Sequence, residues 1–496
     1  MLCTTVGVAA IAIGQISTIA SDIGLHAVGS KFLAKAPPSG AQTILVIGDD
    51  HSGPYDAACQ CHLLHADTFM LVHMDPNQGQ TSIMSIPRDL MVNFTWKGVS
   101  WTDQKFNSAY SVGEGPNRSV PLADQLVLKV VRQYFPGMAI NHYIDINFDA
   151  FIGVVRAIGC VYVDVDHRYL NTTDQTYSKI NLEPGYQKLC AGSALSYVRY
   201  RHTDSDFVRV ARQQDFIRQA KEQLGLFNLL SKLDSIAKAF GEAITTDISG
   251  VKTVNSLLQL VAFSQSRPIR SAPFKSANTA YQVVNSSGTI EDYVTSTPAL
   301  IKQSIDNFLY ENPAAPTPGA HAPARTSQHT HAHHHHAAGT GSTTSGAHDL
   351  FALTAANQAA ALQLAPSVPF PVLLPRFETG EATANDPSGP NDARAYSIAD
   401  ESGHVYQGYR VDWQQNTGGY YGIEGTNWLN PPLFANPSAT LTIHGRTYMF
   451  IDDGSHWHDI GWRSGNALYW VSNTLLEDLS NAQMLSLAET AHPITP

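Results

Sequence analysis

Charge is scarce in this chain. Asp, Glu, Lys and Arg make up 15% of its 496 residues, against about 25% in an ordinary soluble domain. The balance is acidic, a formal −11 at pH 7, which argues against nucleic acid as a partner, because most of that affinity comes from neutralising phosphates with a basic surface. Cysteine is scarce too: the five, at positions 3, 59, 61, 160 and 190, show no paired CxxC spacing of a zinc site. No P-loop lysine motif is present, so a nucleotide triphosphatase would lack its usual phosphate cradle. Residues 2–19 carry no charge and are nearly long enough to span a bilayer, yet no Lys or Arg precedes them to fix an orientation. They suit a membrane anchor, an uncleaved signal segment, or the remainder after a start codon assigned too late.

Against this background, SYVRYRHTDSDFVRVARQQDF (196–216) gathers Arg199, Arg201, Arg209 and Arg212. The alternation Val198-Arg199-Tyr200-Arg201 predicts a strand with both guanidiniums on one face. After the turn-like HTDSD, Asp206 is placed to cap a helix in which Arg209, Arg212 and Gln213 lie three and four residues apart. Guanidinium forks match phosphate or carboxylate geometry better than lysine does. The alternative is a set of surface salt bridges with Asp204, Asp206 and Asp215.

The chain divides by pattern into four parts: 1–40, 41–310, 311–347 and 348–496. In the second, strand-like TILVI (43–47), FMLVHM (69–74), TSIMSI (81–86), HYIDINF (142–148) and VYVDV (161–165) alternate with helical periods at 122–135, 148–159 and 207–224. This predicts an α/β domain with helices covering a central sheet. The third part is a Pro-, Ala- and His-rich linker. Its histidines, His329, His331 and His333 to His336, are a flexible tract of the kind that rarely makes a defined metal site. The fourth reads as a smaller β-rich α+β domain: short alternating strands, a final helix SNAQMLSLAETA, and five of the seven tryptophans, suited to core packing or to stacking on sugar rings.

Ligands of open α/β sheets sit beyond the carboxyl ends of strands. ILVIGDDHS puts Asp49 and Asp50 at such an end, LLHADTF puts Asp67 before the next strand, and SIPRDL puts Arg88 and Asp89 after the third. Carboxylates that hold a hard cation and arginines that clamp an anion would thus meet. Cys160 and Cys190 suit either a disulfide in an exported protein or two buried thiols.

These segments, with KFNSAY and LCAGSALSYVRYRHTDSDFVRVARQQDF, resemble the LytR-CpsA-Psr family of cell-wall glycopolymer transferases, strongly over 41–226 and loosely to 310. The resemblance implies a central mixed sheet flanked by helices, outside the cytoplasm and held to the cell membrane by a single N-terminal span. It implies an enzyme that moves a glycosyl phosphate from a polyprenyl diphosphate-linked glycan to peptidoglycan. By that match Asp50 and Asp67 help hold Mg²⁺, with Mn²⁺ as the alternative ion. Arg88, Arg199, Arg201 and Arg209 contact the diphosphate, and Gln213 shares their pocket. Arg88, Asp67 and Asp89 are the catalytic candidates, the proton acceptor being either Asp67 or Asp89. Where many relatives carry arginine, this chain has His51 and His65, which are charged only below about pH 6.5 unless perturbed. The insertion SGPYDAACQCHLL reads as a lid or a surface loop. Export favours the Cys160–Cys190 disulfide. Segments 148–158 and 126–131 are either walls of a lipid cleft or core. Two competing functions remain: a polyprenyl diphosphate phosphatase, and a non-catalytic wall-associated lipid- or glycan-binding protein.

Overall fold

The computed structural model describes residues 32–37, 40–50, 65–173, 179–201, 204–240, 244–265, 267–284, 290–310, 350–379, 393–415 and 418–494. The expected anchor, His51, Cys59, Cys61 and the linker histidines lie outside these residues.

The first domain runs β1 (Gln42–Asp49), β2 (Ala66–Asp75), β3 (Gln80–Ser85), α1 (Ser108–Glu114), α2 (Val120–Tyr134), β4 (His142–Ile146), α3 (Phe148–Ile158), β5 (Val161–Val165), β6 (Gly185–Leu189), α4 (Ala191–Arg199), α5 (Asp206–Phe240), β7 (Ile244–Thr246), α6 (Gly250–Gln265), β8 (Ile269–Ser271) and α7 (Pro298–Tyr310). Its sheet has the order β7-β4-β1-β2-β3-β8. β1, β2 and β3 form an antiparallel meander, while β4 lies parallel to β1 and β8 parallel to β3, so the sheet is mixed, as expected.

The apolar run of β1 follows from burial on both faces. Leu45 and Ile47 enter the core with α2 and α7, and Ile44 meets Leu257 and Leu260 of α6 on the other side. Leu126, Val127, Leu128, Val130 and Val131 of α2 are buried in the first of these cores, and Val155 of α3 in a third with β5. Segment 126–131 is therefore core, whereas 148–158 buries only Ala150 and Val155 and leaves the rest of its surface partly open.

β5 does not join the central sheet. Among the described residues it pairs with β6 alone, and the Cys160–Cys190 disulfide, with Cα atoms 4.5 Å apart, closes one end of that ladder. Gly159, at φ +91°, makes the left-handed turn that ends α3 and directs the chain into it.

The C-terminal domain is a seven-stranded antiparallel sheet. Its strands are β9 (Arg394–Ala399), β10 (Val405–Gln414), β11 (Tyr420–Thr426), β12 (Ala439–Ile443), β13 (Arg446–Asp452), β14 (Trp457–Ser464) and β15 (Ala467–Ser472), in the order β9-β10-β11-β15-β14-β13-β12. One face packs against α8 (Asn481–Thr490) and residues 353–374. The other meets Tyr162 and Tyr186 of the first domain through Tyr396, Trp428, Phe434 and Trp470. All five C-terminal tryptophans are buried, so they are core.

Polar groups lock the same interface. Arg410, fully buried, donates from Nη1 to Asp164 Oδ1 (2.6 Å) and Glu424 Oε1 (2.5 Å), and from Nε to Asp412. Trp470 Nε1 donates to the other oxygen of Asp164 (3.0 Å). Removing one partner of such a buried network strands the remaining charges, at a cost of about 3–5 kcal/mol. Arg410→Ala is accordingly expected to destabilise the chain by about that amount in urea unfolding; a loss below about 1 kcal/mol would mean that the charges are solvated on their own.

Candidate active site

The strand ends place the acidic groups. A register shift between Gly48 and Asp49 interrupts the β1–β2 ladder, and the two aspartates that follow diverge. Asp49 turns inward, accepting from the Tyr110 hydroxyl (3.0 Å). Asp50 turns outward, where its Oδ1 accepts from the backbone N–H of His65 (2.7 Å) and its Oδ2 lies 3.7 Å from His65 Nδ1. The Asp50 hydrogen bond raises the pKa of His65 against the opposing effect of burial. The imidazole therefore keeps its positive charge to higher pH than a free histidine.

Asp67 stands at the start of β2 and Arg88 just after β3, the neighbouring strand. Arg88 Nη1 donates to Asp67 Oδ1 (2.5 Å), and Arg88 Nε lies 3.4 Å from Asp89 Oδ2 and 3.6 Å from Asp206 Oδ1. Helix α5 brings the next guanidinium. Ser205 Oγ accepts from Val208 N (3.3 Å), so Ser205 caps this helix and Asp206 is its first residue, in correction of the expected cap. With the cap duty gone, Asp206 sits 2.5 Å from Arg209 Nη2, which also donates to the Asp67 backbone carbonyl (2.9 Å). Arg201 reaches to 3.9 Å of Asp89, and Lys105 to 3.0 Å of its other oxygen. Gln213 donates to Thr68 Oγ1 and to the Val198 carbonyl, both at 3.1 Å, tying α5 to the residue beside Asp67.

The expected strand at 198–201 is corrected to the end of helix α4. Ala194, Tyr197 and Val198, spaced three and four apart, face the core, and this helical period outweighs a four-residue alternation. Arg199 is thereby exposed, its guanidinium stacked 3.9 Å above the Phe148 ring. Arg212 leaves the group altogether. It is fully buried, bound to Asp204 and to the Tyr200 carbonyl (2.8 Å), with its guanidinium over the Tyr169 ring.

The sequence offers Asp206 as a helix cap or as an ion-pair partner of the arginines, and the structure takes the second, with Arg209. Lys105 goes unread because it ends a largely exposed hairpin strand, Val99–Lys105, without an apolar period.

Electrostatics separates the carboxylates. Burial favours neutral Asp67, but Arg209 and Arg88 together hold its pKa below the usual value. For Asp206 burial prevails over the same two arginines, and its pKa is raised. Beside Asp206 and Pro87 opens a cavity of about 470 Å³, walled on one side by Ile83, Phe207, Val210, Ala211 and Ile269 together with the charged Asp215, Arg218 and Arg270, and on the other by Ser455, His456, His458, Asp459 and residues 472–477 of the C-terminal domain.

With this geometry in place, comparison with known proteins is decisive about kinship. The LytR_cpsA_psr family model matches residues 21–296. This chain belongs to that family. A relative from Halalkalibacterium halodurans, named polyisoprenyl-teichoic acid–peptidoglycan teichoic acid transferase TagU, is 30% identical over 196 residues, covering 39% of this chain and 58% of that protein. Bacillus subtilis TagV, named for the same transfer, is 28% identical over 186 residues, covering 37% of this chain and 45% of its own length. The chain thus spans about half the length of the curated relatives it matches. The crystal structure of B. subtilis TagV aligns with a TM-score of 0.42 at 21% identity, over 54% of this chain and 96% of that one.

Behind the site of this LytR_cpsA_psr domain lies a buried acidic group. Tyr110 hydrogen-bonds Asp145 (2.9 Å) as well as Asp49, and Asp124 lies against them. Burial, reinforced for both by the charge of Asp49, pushes the carboxyls of Asp124 and Asp145 well above the usual range. A carboxyl whose pKa is raised by folding loses its stabilising contribution as pH climbs from about 4 towards the folded-state value. Asp124→Asn removes one such group, so its stability relative to the parent is expected to rise by at least about 1 kcal/mol between pH 5 and pH 8. Urea midpoints at the two pH values test this, and an unchanged difference would show that Asp124 is ionised throughout.

Proposed function

We propose that this chain moves a glycan with its phosphate from a polyprenyl diphosphate carrier to a hydroxyl of peptidoglycan. The observation that carries the proposal is the convergence of Arg88 and Arg209, from two separate elements, on Asp67 beside a cavity with an apolar stretch of wall at Ile83, Phe207, Val210, Ala211 and Ile269. Membership of the LytR_cpsA_psr family and the transfer named in TagU and TagV support it.

A diphosphate displaces Asp67 and Asp206 as the partner of these guanidiniums, exchanging carboxylate–guanidinium pairs for stronger bidentate phosphate contacts. Arg201 and Lys105, on the far side of Asp89, extend the positive rim, and His65 adds charge through its raised pKa. The prenyl chain enters the cavity between α5 and the β3–β8 edge. The acceptor hydroxyl attacks the glycan-side phosphorus, the bond from that phosphorus to the bridging oxygen breaks, and polyprenyl monophosphate leaves. The hydroxyl proton passes to a carboxylate. Asp67, with its lowered pKa, is the poorer acceptor, and Asp206, with a raised pKa and a place on the cavity wall, is the better one.

Asp50 and Asp67, outward-facing on adjacent strand ends, are hard oxygen donors suited to Mg²⁺ or Mn²⁺, which takes one or two protein carboxylates and completes its shell with water and phosphate oxygens. Held there, the ion would draw charge off the diphosphate oxygens. The N-terminal 40 residues anchor the domain outside the cytoplasm, where its disulfide persists.

Mass-spectrometric product analysis of the full chain, given a polyprenyl diphosphate-linked sugar, a peptidoglycan oligosaccharide and Mg²⁺ beside an EDTA control, tests the proposal. A glycosyl phosphate adduct on the oligosaccharide is expected, falling at least about 100-fold in Arg88→Ala with the fold retained. Free phosphorylated sugar alone would make the protein a hydrolase, and lipid binding without turnover would make it a binding protein.

A further inference from the structure

The C-terminal domain carries a second cluster of ligating side chains, which the transfer reaction above does not use. It is built from the segment DDGSHWHD (452–459), between β13 and β14, and from the loop that follows β15. Asp453 is buried, and its Oδ1 accepts from the backbone N–H of Ser455 (2.8 Å) and of His456 (2.7 Å), which folds His456 back beside it. Glu477 arrives from the other loop. Its Oε2 lies 3.1 Å from His456 Nδ1, and its Oε1 lies 3.2 Å from His458 Nδ1. Ligating atoms of Asp453, His456 and Glu477 all lie within 4.8 Å of one another, the one grouping of three or more His, Cys, Asp or Glu residues with this closeness among the described residues.

The chemistry of these donors points to a particular class of ion. Bound at about 2.0–2.2 Å, three tetrahedral ligands stand roughly 3.3 Å apart. The His456–Glu477 pair already has that spacing, and Asp453, within 4.8 Å of both, completes the set by closing on the ion. One imidazole and two carboxylates suit Zn²⁺ better than Mg²⁺, which prefers an octahedron of oxygens. His458 stands where an outer hydrogen-bond donor holds a ligating carboxylate in orientation. His456 and Glu477 line the cavity between the domains. The same wall carries Ser472, buried, with a hydroxyl that has no hydrogen-bond partner.

We propose that Asp453, His456 and Glu477 bind one divalent ion of the Zn²⁺ class, with His458 supporting Glu477, and that the remaining coordination position faces the interdomain cavity. None of these residues touches Arg88 or Arg209, although the site shares the interdomain cavity with the proposed lipid path, so the metal titration reads this site without any transfer substrate.

The linker histidines would bind the same metals, so the test uses the full chain with His329, His331 and His333 to His336 replaced by serine. Stripped with EDTA and desalted, it is titrated with Zn²⁺ alone, and in parallel with Co²⁺ to read the visible ligand-field absorption. One ion per chain is expected, with a Co²⁺ band of four- or five-coordinate intensity. His456→Ala and Glu477→Gln are each expected to weaken Zn²⁺ affinity more than about tenfold. Failure to retain an ion, or unchanged affinity in both variants, overturns the proposal. Thermal melting of the metal-free variants accompanies the titration. His456 is half-exposed, so its substitution is the milder one, and its result decides should Glu477→Gln unfold the domain.

Discussion

The active end of the first domain depends on one arrangement: cationic side chains interleaved with aspartates drawn from different elements. Arg88 touches Asp67 of β2, its own neighbour Asp89 and Asp206 of α5. Arg209 returns to Asp67 and Asp206 from the helix. Buried guanidiniums without partners would cost several kcal/mol each, so the carboxylates are what permits them to wait together at a strand end. The same interleaving fixes where β2, the turn after β3 and the start of α5 stand relative to one another. An incoming anion thus meets groups already in place, and positioning of that kind is most of what phosphoryl transfer asks of a protein.

A second cluster, further along α5 at Arg218, extends this logic to the domain interface. Arg410 and Trp470 hold Asp164 of β5, while Arg218 of α5 lies 3.8 Å from Asp459 of β14. Tyr162 and Tyr186 pack into the aromatic face of the C-terminal sheet. The helix that presents Arg209 at its first turn therefore meets the C-terminal domain two turns further on, and the cavity between them has one wall from each domain. An accessory sheet docked in this way shapes the space beside the arginines.

Much of this was legible in the sequence, and the exceptions have physical reasons. β1 and β2 announce themselves through nearly continuous apolar runs, as burial on both faces requires, while β3, buried throughout, shows only the short Ile83-Met84 pair amid Thr and Ser. The site aspartates and Arg88 follow from strand ends alone. Helix α4 was misread because four alternating residues mimic a strand when only one turn of helix is in view. β5 has the composition of a central strand, but the turn at Gly159 and the disulfide hold it in a ladder with β6. β11 is hard to read from sequence because GGYYGIEGT is rich in glycine, which reads as turn until the close approach of Tyr409 and Tyr469 to Gly425 is known. Arg212 looked like a member of the clamp, and only tertiary packing shows that it serves the tyrosine core. For Asp206 the sequence leaves cap and ion-pair partner open, since both have the same signature, and only the packing of Arg209 against it decides.

The account stands on the claim that the paired guanidiniums form a site for a lipid-linked diphosphate. Calorimetric titration of the full chain with a long-chain prenyl diphosphate, the matching monophosphate and the matching alcohol tests it most directly. The account predicts that the diphosphate binds at least about tenfold more tightly than the monophosphate, that the alcohol binds weakest, and that the preference fades as salt is raised. Equal affinities for all three would show that only the prenyl chain is recognised, and would contradict it.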